Sequence, residues 1–249
     1  LRVPKLGNSK ARRLLQQQGS AAAVFAAGPT VWRAAGCTDE LCTLLGRSDR
    51  AAAAADLSWL NADENRDFIA FDDPRYPPQL AEIPQAPLGL FTLGDASLLC
   101  RAQIAIVGAR AASTQGAENA RAFARDLVRA GVTITSGLAL GIDAAAHRAA
   151  LDADGATIAV CGNGLDRIYP ARNQALARDI AARGLLISEF APGTAPKPEH
   201  FPRRNRVISG LSLGVLVIEA ALESGSLITA RLAADQGREV FALPGSIHN

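Results

Sequence analysis

Methionine is missing from the whole chain, which begins at Leu1, so the sequence reads as one whose natural start has been trimmed. Histidine is nearly missing too: the three present lie close neither to one another nor to a cysteine, and no structural metal is expected. The cysteines Cys37, Cys42, Cys100 and Cys161 form no CxxC pair. They read as small apolar residues of a reducing compartment, not as a disulfide frame or a zinc site. No stretch approaches the ~20 apolar residues needed to cross a bilayer. The basic, polar opening LRVPKLGNSK is followed by no signal-peptide core. These absences point to a cytoplasmic protein with no membrane contact. The chain stops at Asn249 just after a strand-like run, which implies that the natural protein continues.

A dominant charge of one sign is also lacking, since the net charge is only +2. Residues 1–66 carry nine Lys/Arg against six Asp/Glu, and residues 67–249 carry 17 against 18. A nucleic-acid protein with a near-neutral main domain has to gather its cations locally.

The first 66 residues are alanine-rich and helical in character. In VPKLGNSKARRLL the Leu6-Gly7-Asn8 turn precedes a helix with Asn8 or Ser9 as its expected cap. The turn resembles a helix-hairpin-helix, whose amides can hold a phosphate, but an ordinary interhelical loop is the favoured reading. Five prolines between Asp73 and Leu88 rule out one regular helix and make this stretch a connection into the second domain. From Arg101 onward short apolar runs at 104–107, 132–135, 156–160, 185–188, 215–219 and 239–243 read as strands. Helices are expected near 115–130, 142–151, 173–183, 203–211 and 227–236, with Gly131 and Gly184 as left-handed C-caps. Continuous apolar strands separated by helices imply a doubly wound α/β domain with a parallel sheet covered on both faces.

In such folds ligands bind where the strands end. Here the strands exit into Gly108-Ala109-Arg110, Ser136-Gly137, Cys161-Gly162-Asn163-Gly164, Ser188-Glu189, Glu219-Ala220 and Pro244-Gly245, so backbone can approach a ligand along the edge. Phosphate suits exposed amides and helix N-termini. A dinucleotide does not fit. VGARAASTQG lacks the later glycines of G-x-G-x-x-G, and the second strand ends in Ser136-Gly137, not in the acid that holds a ribose. No Walker loop occurs either, and no cofactor is expected. Arg110, at the first strand exit, would fork onto phosphate oxygens, the alternative being a surface arginine paired with an acid.

The run PKPEHFPRRNRVISGLS places Lys197, Arg203, Arg204 and Arg206 within ten residues, with Phe201 and Asn205 among them. Cations interleaved with an aromatic form a platform for single strands; a solvated loop with Phe201 in the core is the alternative. Ser224-Gly225-Ser226 opens a helix, as an anion nest, a simple N-cap or both. Asp143 and His147 share a helix face, but no G-x-S-x-G elbow accompanies them, and Asp143 reads as a cap or dipole partner. Glu189 and Glu219 could hold magnesium or act as acid and base; holding nearby arginines in place is the favoured role.

IVGAR, SGLALGIDAAAH, GNGLDRIYPARN, SEFAPG, HFPRRNRVISGLS and EAALESGSLITARLAADQGREVFALPGS, in this order, resemble the successive signatures of the DNA-processing protein A (DprA/Smf) family. The likeness runs from about Asp72 to Ser246 and includes DDPRYPPQL as the entry to the domain. It implies an extended Rossmann-type doubly wound sheet at 67–249, preceded by a small sterile-alpha-motif-like helical domain at 1–66. A winged-helix-like C-terminal domain of some members is expected to lie outside this chain. It further implies a homodimer that binds single-stranded DNA without catalysis, protects incoming strands and loads the RecA recombinase in natural transformation. The family's basic pocket maps to Arg110 and the Lys197–Arg206 run, with Gly108, Ser136, Gly137, Gly162, Gly225 and Ser226 around it. Ala171 departs from the pattern, standing where relatives are often basic.

Two rival readings remain. One is a Rossmann-type nucleotide phosphoribohydrolase-like enzyme, whose PGGxGTxxE signature is missing here. The other is a protein-interaction module whose cations meet an acidic partner.

Overall fold

The computed structural model describes residues 2–47, 49–221 and 224–244. Four helices come first: α1 (Asn8–Gln18), α2 (Ala21–Ala34), α3 (Asp39–Gly46) and α4 (Arg50–Asn61). Leu14, Val24, Trp32, Leu41 and Leu45 from α1–α3 bury one another in a core of their own. By contrast, Trp59 and Leu60 of α4 pack on the main sheet, with Trp59 edge-on to Phe91 at 6.1 Å. The expected cap of α1 is corrected: Gly7 holds the cap position without a side-chain bond. Asn8 instead donates to the carbonyls of Gln85 and Ala86, tying α1 to the proline-rich connection.

Among the described residues eight strands form one sheet: β1 (Arg66–Ala70), β2 (Gly89–Gly94), β3 (Gln103–Gly108), β4 (Thr133–Ser136), β5 (Thr157–Val160), β6 (Leu185–Ser188), β7 (Gly214–Ile218) and β8 (Glu239–Ala242). Their order is β1-β2-β6-β5-β4-β3-β7-β8. The six strands from β3 onward are mutually parallel, as the alternation of apolar runs and helices implies. The expected doubly wound parallel sheet is extended at one edge, where β1 and β2, lying before the apolar runs read as strands, add antiparallel to β6.

The central strands are apolar at consecutive positions because successive side chains point to opposite covered faces. Ile106 joins Ile134 and the alanines of α6 (Thr114–Arg129) and α7 (Ile142–Asp152). Its neighbours Ala105 and Val107 join Val207, Ile208 and Leu211 of α9 (His200–Leu211) on the other face, beside α10 (Gly225–Asp235). Between these, α5 (Pro78–Ala81) lies in the proline-rich connection, and α8 (Gln174–Arg183) covers β5 and β6. Gly131 is left-handed at φ +80, as a C-cap after α6 requires. Gly184 is not: its backbone is extended, and it is small because a Cβ would lie 2.5 Å from the Thr157 carbonyl oxygen. Among the described residues no helix is long and apolar enough to cross a membrane.

Candidate functional site

Strand order reverses at β3, which has β4 on one side and β7 on the other, and a crevice opens where these strands end. Its volume is about 480 Å³, and Gly108, Arg110, Tyr169, Phe201, Arg204 and Gly225 are among its lining residues. Gly108 is required at its floor, since a Cβ there would fall 1.8 Å from the Ile218 carbonyl oxygen of β7.

Arg110 is exposed at the rim, and its guanidinium carbon lies 5.9 Å from the centre of the Phe201 ring. Phe201 in turn lies 5.4 Å from Tyr169, with the rings tilted by 32°. Tyr169, which is 48% exposed, completes a row of cation and two aromatics along one wall. Sequence reasoning misses Tyr169 because it stands alone in a loop; its place just beyond a strand exit is the available signal. Gly162 makes room for this wall, with its would-be Cβ 3.0 Å from the Phe201 ring.

The start of α10 also lines the crevice. Ser224 holds its N-cap position but makes no side-chain cap bond, and its hydroxyl pairs with that of Ser226 at 2.6 Å. Among the described residues, the first-turn amides of α10 therefore keep no side-chain acceptor, the arrangement that receives an anion. Asn205 fixes this turn by donating to the Gly225 carbonyl at 3.1 Å.

The basic run does not fold into a row of four surface cations, and this corrects the expectation from sequence. Within α9, Arg203 points outward, whereas Arg204 and Arg206 are buried. Helical periodicity forces the separation, since adjacent positions point in different directions. Arg204 donates through Nη1 to the carbonyls of Gly137 and Val160 and forms part of the crevice floor. Burial pulls its pKa down, Asp143 opposes that effect, and Arg110 adds to it. Gly137 is small because a Cβ would sit 2.3 Å from Arg204 Nη1, and Ser136 spends its hydroxyl on the Ile106 carbonyl at 2.6 Å. Neither is among the residues lining the crevice, and of the two it is Gly137 that contacts Arg204, through its carbonyl. Arg206 pairs with the buried Glu189 at 2.5 Å, and Arg203 reaches the same carboxylate at 3.1 Å. Lys197 is exposed in the loop before α9 and has no ion pair among the described residues.

Asp143 and His147 do not make a catalytic pair. Asp143 accepts the amides of Gly137 and Ala139, and burial raises its pKa against the pull of Arg204 and these bonds. His147 is fully buried, with Nδ1 2.7 Å from the Thr157 hydroxyl. That hydroxyl already donates to the Ile134 carbonyl, so Nδ1 carries the proton and donates. Nε2 has no partner among the described residues, and burial drives the imidazole pKa down to about 3.

The two strand-end glutamates part company. Glu189 does hold arginines, whereas among the described residues Glu219 pairs with none. Glu219, at φ +54, turns its carboxylate onto the start of α6 and accepts the Ser113 amide at 3.0 Å and the Ser113 hydroxyl at 2.8 Å. The helix N-terminus that receives pyrophosphate in dinucleotide-binding folds thus already holds an internal anion. Among the described residues no group of three or more His, Cys, Asp or Glu is placed to hold a metal. The exit at Pro244-Gly245 cannot be followed, because Gly245 lies outside the described residues.

The family model for DNA recombination-mediator protein A matches residues 67–249. Protein Smf of Escherichia coli is 51% identical over 201 residues, 80% of this chain and 54% of that protein. The DNA processing protein DprA of Streptococcus pneumoniae is 50% identical over 180 residues, 72% of this chain and 63% of that one. The chain thus spans little more than half to under two thirds of these relatives. The X-ray structure of the Streptococcus pneumoniae protein superposes with a TM-score of 0.85 at 37% identity, covering 98% of this chain and 84% of that one. A Helicobacter pylori DNA processing protein A, solved for its single-stranded DNA binding mode, gives 0.66 at 34% identity, covering 70% and 80%.

Proposed function

Because the chain belongs to the DNA recombination-mediator protein A family, we propose that its β3 crevice binds single-stranded DNA without cutting it. Phosphates sit on Arg110 and the first-turn amides of α10, over the charge of Arg204, and bases stack on Tyr169 and Phe201. The observation that carries this reading is the Arg110–Phe201–Tyr169 row in a crevice that the first-turn amides of α10 also line. Stacking is worth ~1–3 kcal/mol per base and needs an unpaired strand, so the site favours single strands over duplex. That the Helicobacter pylori relative was solved for its single-stranded DNA binding mode supports it further.

Protection of incoming strands and loading of the RecA recombinase in natural transformation belong to this proposal, as does a homodimeric, cytoplasmic acting unit. Support for the dimer comes from β8, an edge strand whose four residues are all exposed, with Val240 and Phe241 beside the exposed Leu213. The division into a helical unit at 1–66 and a Rossmann-like unit at 67–249 is likewise proposed. The separate core of α1–α3 supports it, although α4 packs on the sheet.

A gel shift comparing oligo-dT with a duplex of equal length tests the reading. Single strand is retained preferentially, and Arg110→Ala weakens it about tenfold or more, as removal of one charge-assisted hydrogen bond to phosphate requires. Equal retention of duplex, or an Arg110→Ala protein that binds like the wild type, would refute it.

A further inference from the structure

Arg110 belongs to two hollows at once. Besides the crevice, it borders a shallow groove of about 430 Å³ between α6, α7 and the loop joining β3 to α6. The groove is lined by small residues, Ala117, Gly141 and Ala144, and by the arginines Arg110, Arg121 and Arg148. Small lining residues let a sugar-phosphate chain lie close to the helices, and three guanidinium forks around one groove offer phosphates more than one point of attachment.

The acids nearby do not cancel this charge. Arg121 pairs with Glu118 at 3.1 Å and Arg148 with Asp179 at 2.7 Å, and these side chains are 42–54% exposed. Exposed pairs of this kind hold weakly and exchange partners readily. Glu118 is moreover shared with Arg125, so with Arg110 four arginines stand against the carboxylates of Glu118 and Asp179, while the third acid nearby, Glu219 at the start of α6, is already bonded to the Ser113 amide and hydroxyl.

We propose that a single strand leaving the crevice past Arg110 continues along the α6–α7 groove, with further phosphates on Arg121 and Arg148. The inference rests on the crevice reading, which it extends from a pocket for a few nucleotides to a track.

Fluorescence titration with oligo-dT of increasing length separates the two. Wild-type affinity rises with length until the groove is filled. An Arg121→Ala/Arg148→Ala protein matches the wild type on the shortest oligonucleotides and loses the later gain, on the order of tenfold. Its log–log salt slope on long strands falls by about 1.4, at ~0.7 for each phosphate no longer neutralised. The Arg121→Lys/Arg148→Lys protein regains most of that gain, whereas Asp179→Ala, which frees Arg148, binds long strands more tightly than the wild type. Unchanged length dependence and salt slope in the double alanine protein overturn the track and leave the crevice standing. Failure of the crevice itself looks different: the wild type binds no oligonucleotide of any length, or Arg110→Ala has no effect.

Discussion

Arg204 donates to the carbonyls of Gly137 and Val160 and supplies positive charge beside the buried Asp143, so its guanidinium belongs to the interior as much as to the crevice. Truncation to alanine leaves a buried carboxylate without its cation and two carbonyls without their donor. Breaking such an arrangement costs about 3 kcal/mol or more. Arg204→Ala is therefore expected to melt far below the wild type and to lose DNA binding together with its fold, whereas Arg110→Ala melts with the wild type. Matching melting temperatures for the two variants would contradict this division of labour. His147 offers a second test. Its folded pKa of about 3 lies below the ordinary ~6.5, so between those values the unfolded chain holds a proton that the native one refuses. Stability thus rises with pH across that window and levels off above it. Going from pH 6.5 to 5 removes about 2 kcal/mol, at ~1.36 kcal/mol per unit. Asp143, raised by burial, acts in the opposite sense above its unfolded value, so the decisive comparison is with His147→Gln. Denaturant midpoints of that variant should lose this part of the acid slope; an unchanged slope rejects the assignment. None of this inward chemistry could be read from PRRNR, because a run of arginines does not disclose which of them the helix turns toward the core.

Local pattern was enough for the parallel part of the sheet and for the five helices between Thr114 and Asp235, because each strand carries its apolar signal within four to six residues. It was not enough for β1 and β2. Their pairing spans the proline-rich connection, and β2 joins β6 across roughly ninety residues of chain, a partnership that leaves no local signature. The crevice was half legible: strand exits and Arg110 follow from the order of elements, whereas Tyr169 enters through folding of a loop. Strand β8 presents a different problem, an apolar edge with its ladder open on one side, which invites pairing. If a second copy covers it, Phe241→Lys should shift the light-scattering mass of this chain from dimer to monomer while the melting temperature stays close to the wild type. A dimer that survives the substitution places the interface elsewhere.

With a net charge of only +2, the protein has no general field to draw DNA toward it, so the proposed association would depend on the local cations around the sheet edge. About four engaged cations at ~0.7 each give a log–log salt slope of about 3 on long single strands, measurable by titration between low and moderate salt. A slope near zero would mean that phosphates are not what the edge holds. The carboxylate that Glu219 turns onto the start of α6 bears on the same question of selectivity. A cell is crowded with free nucleotides, each able to lodge its phosphates at a vacant helix end and block it. Here that berth is taken by the chain's own acid, which repels a small anion with only one point of attachment. A polymer that the proposed crevice grips at several places can forgo that one foothold, which leaves the start of α10 as the end where an incoming phosphate meets no internal competitor among the described residues.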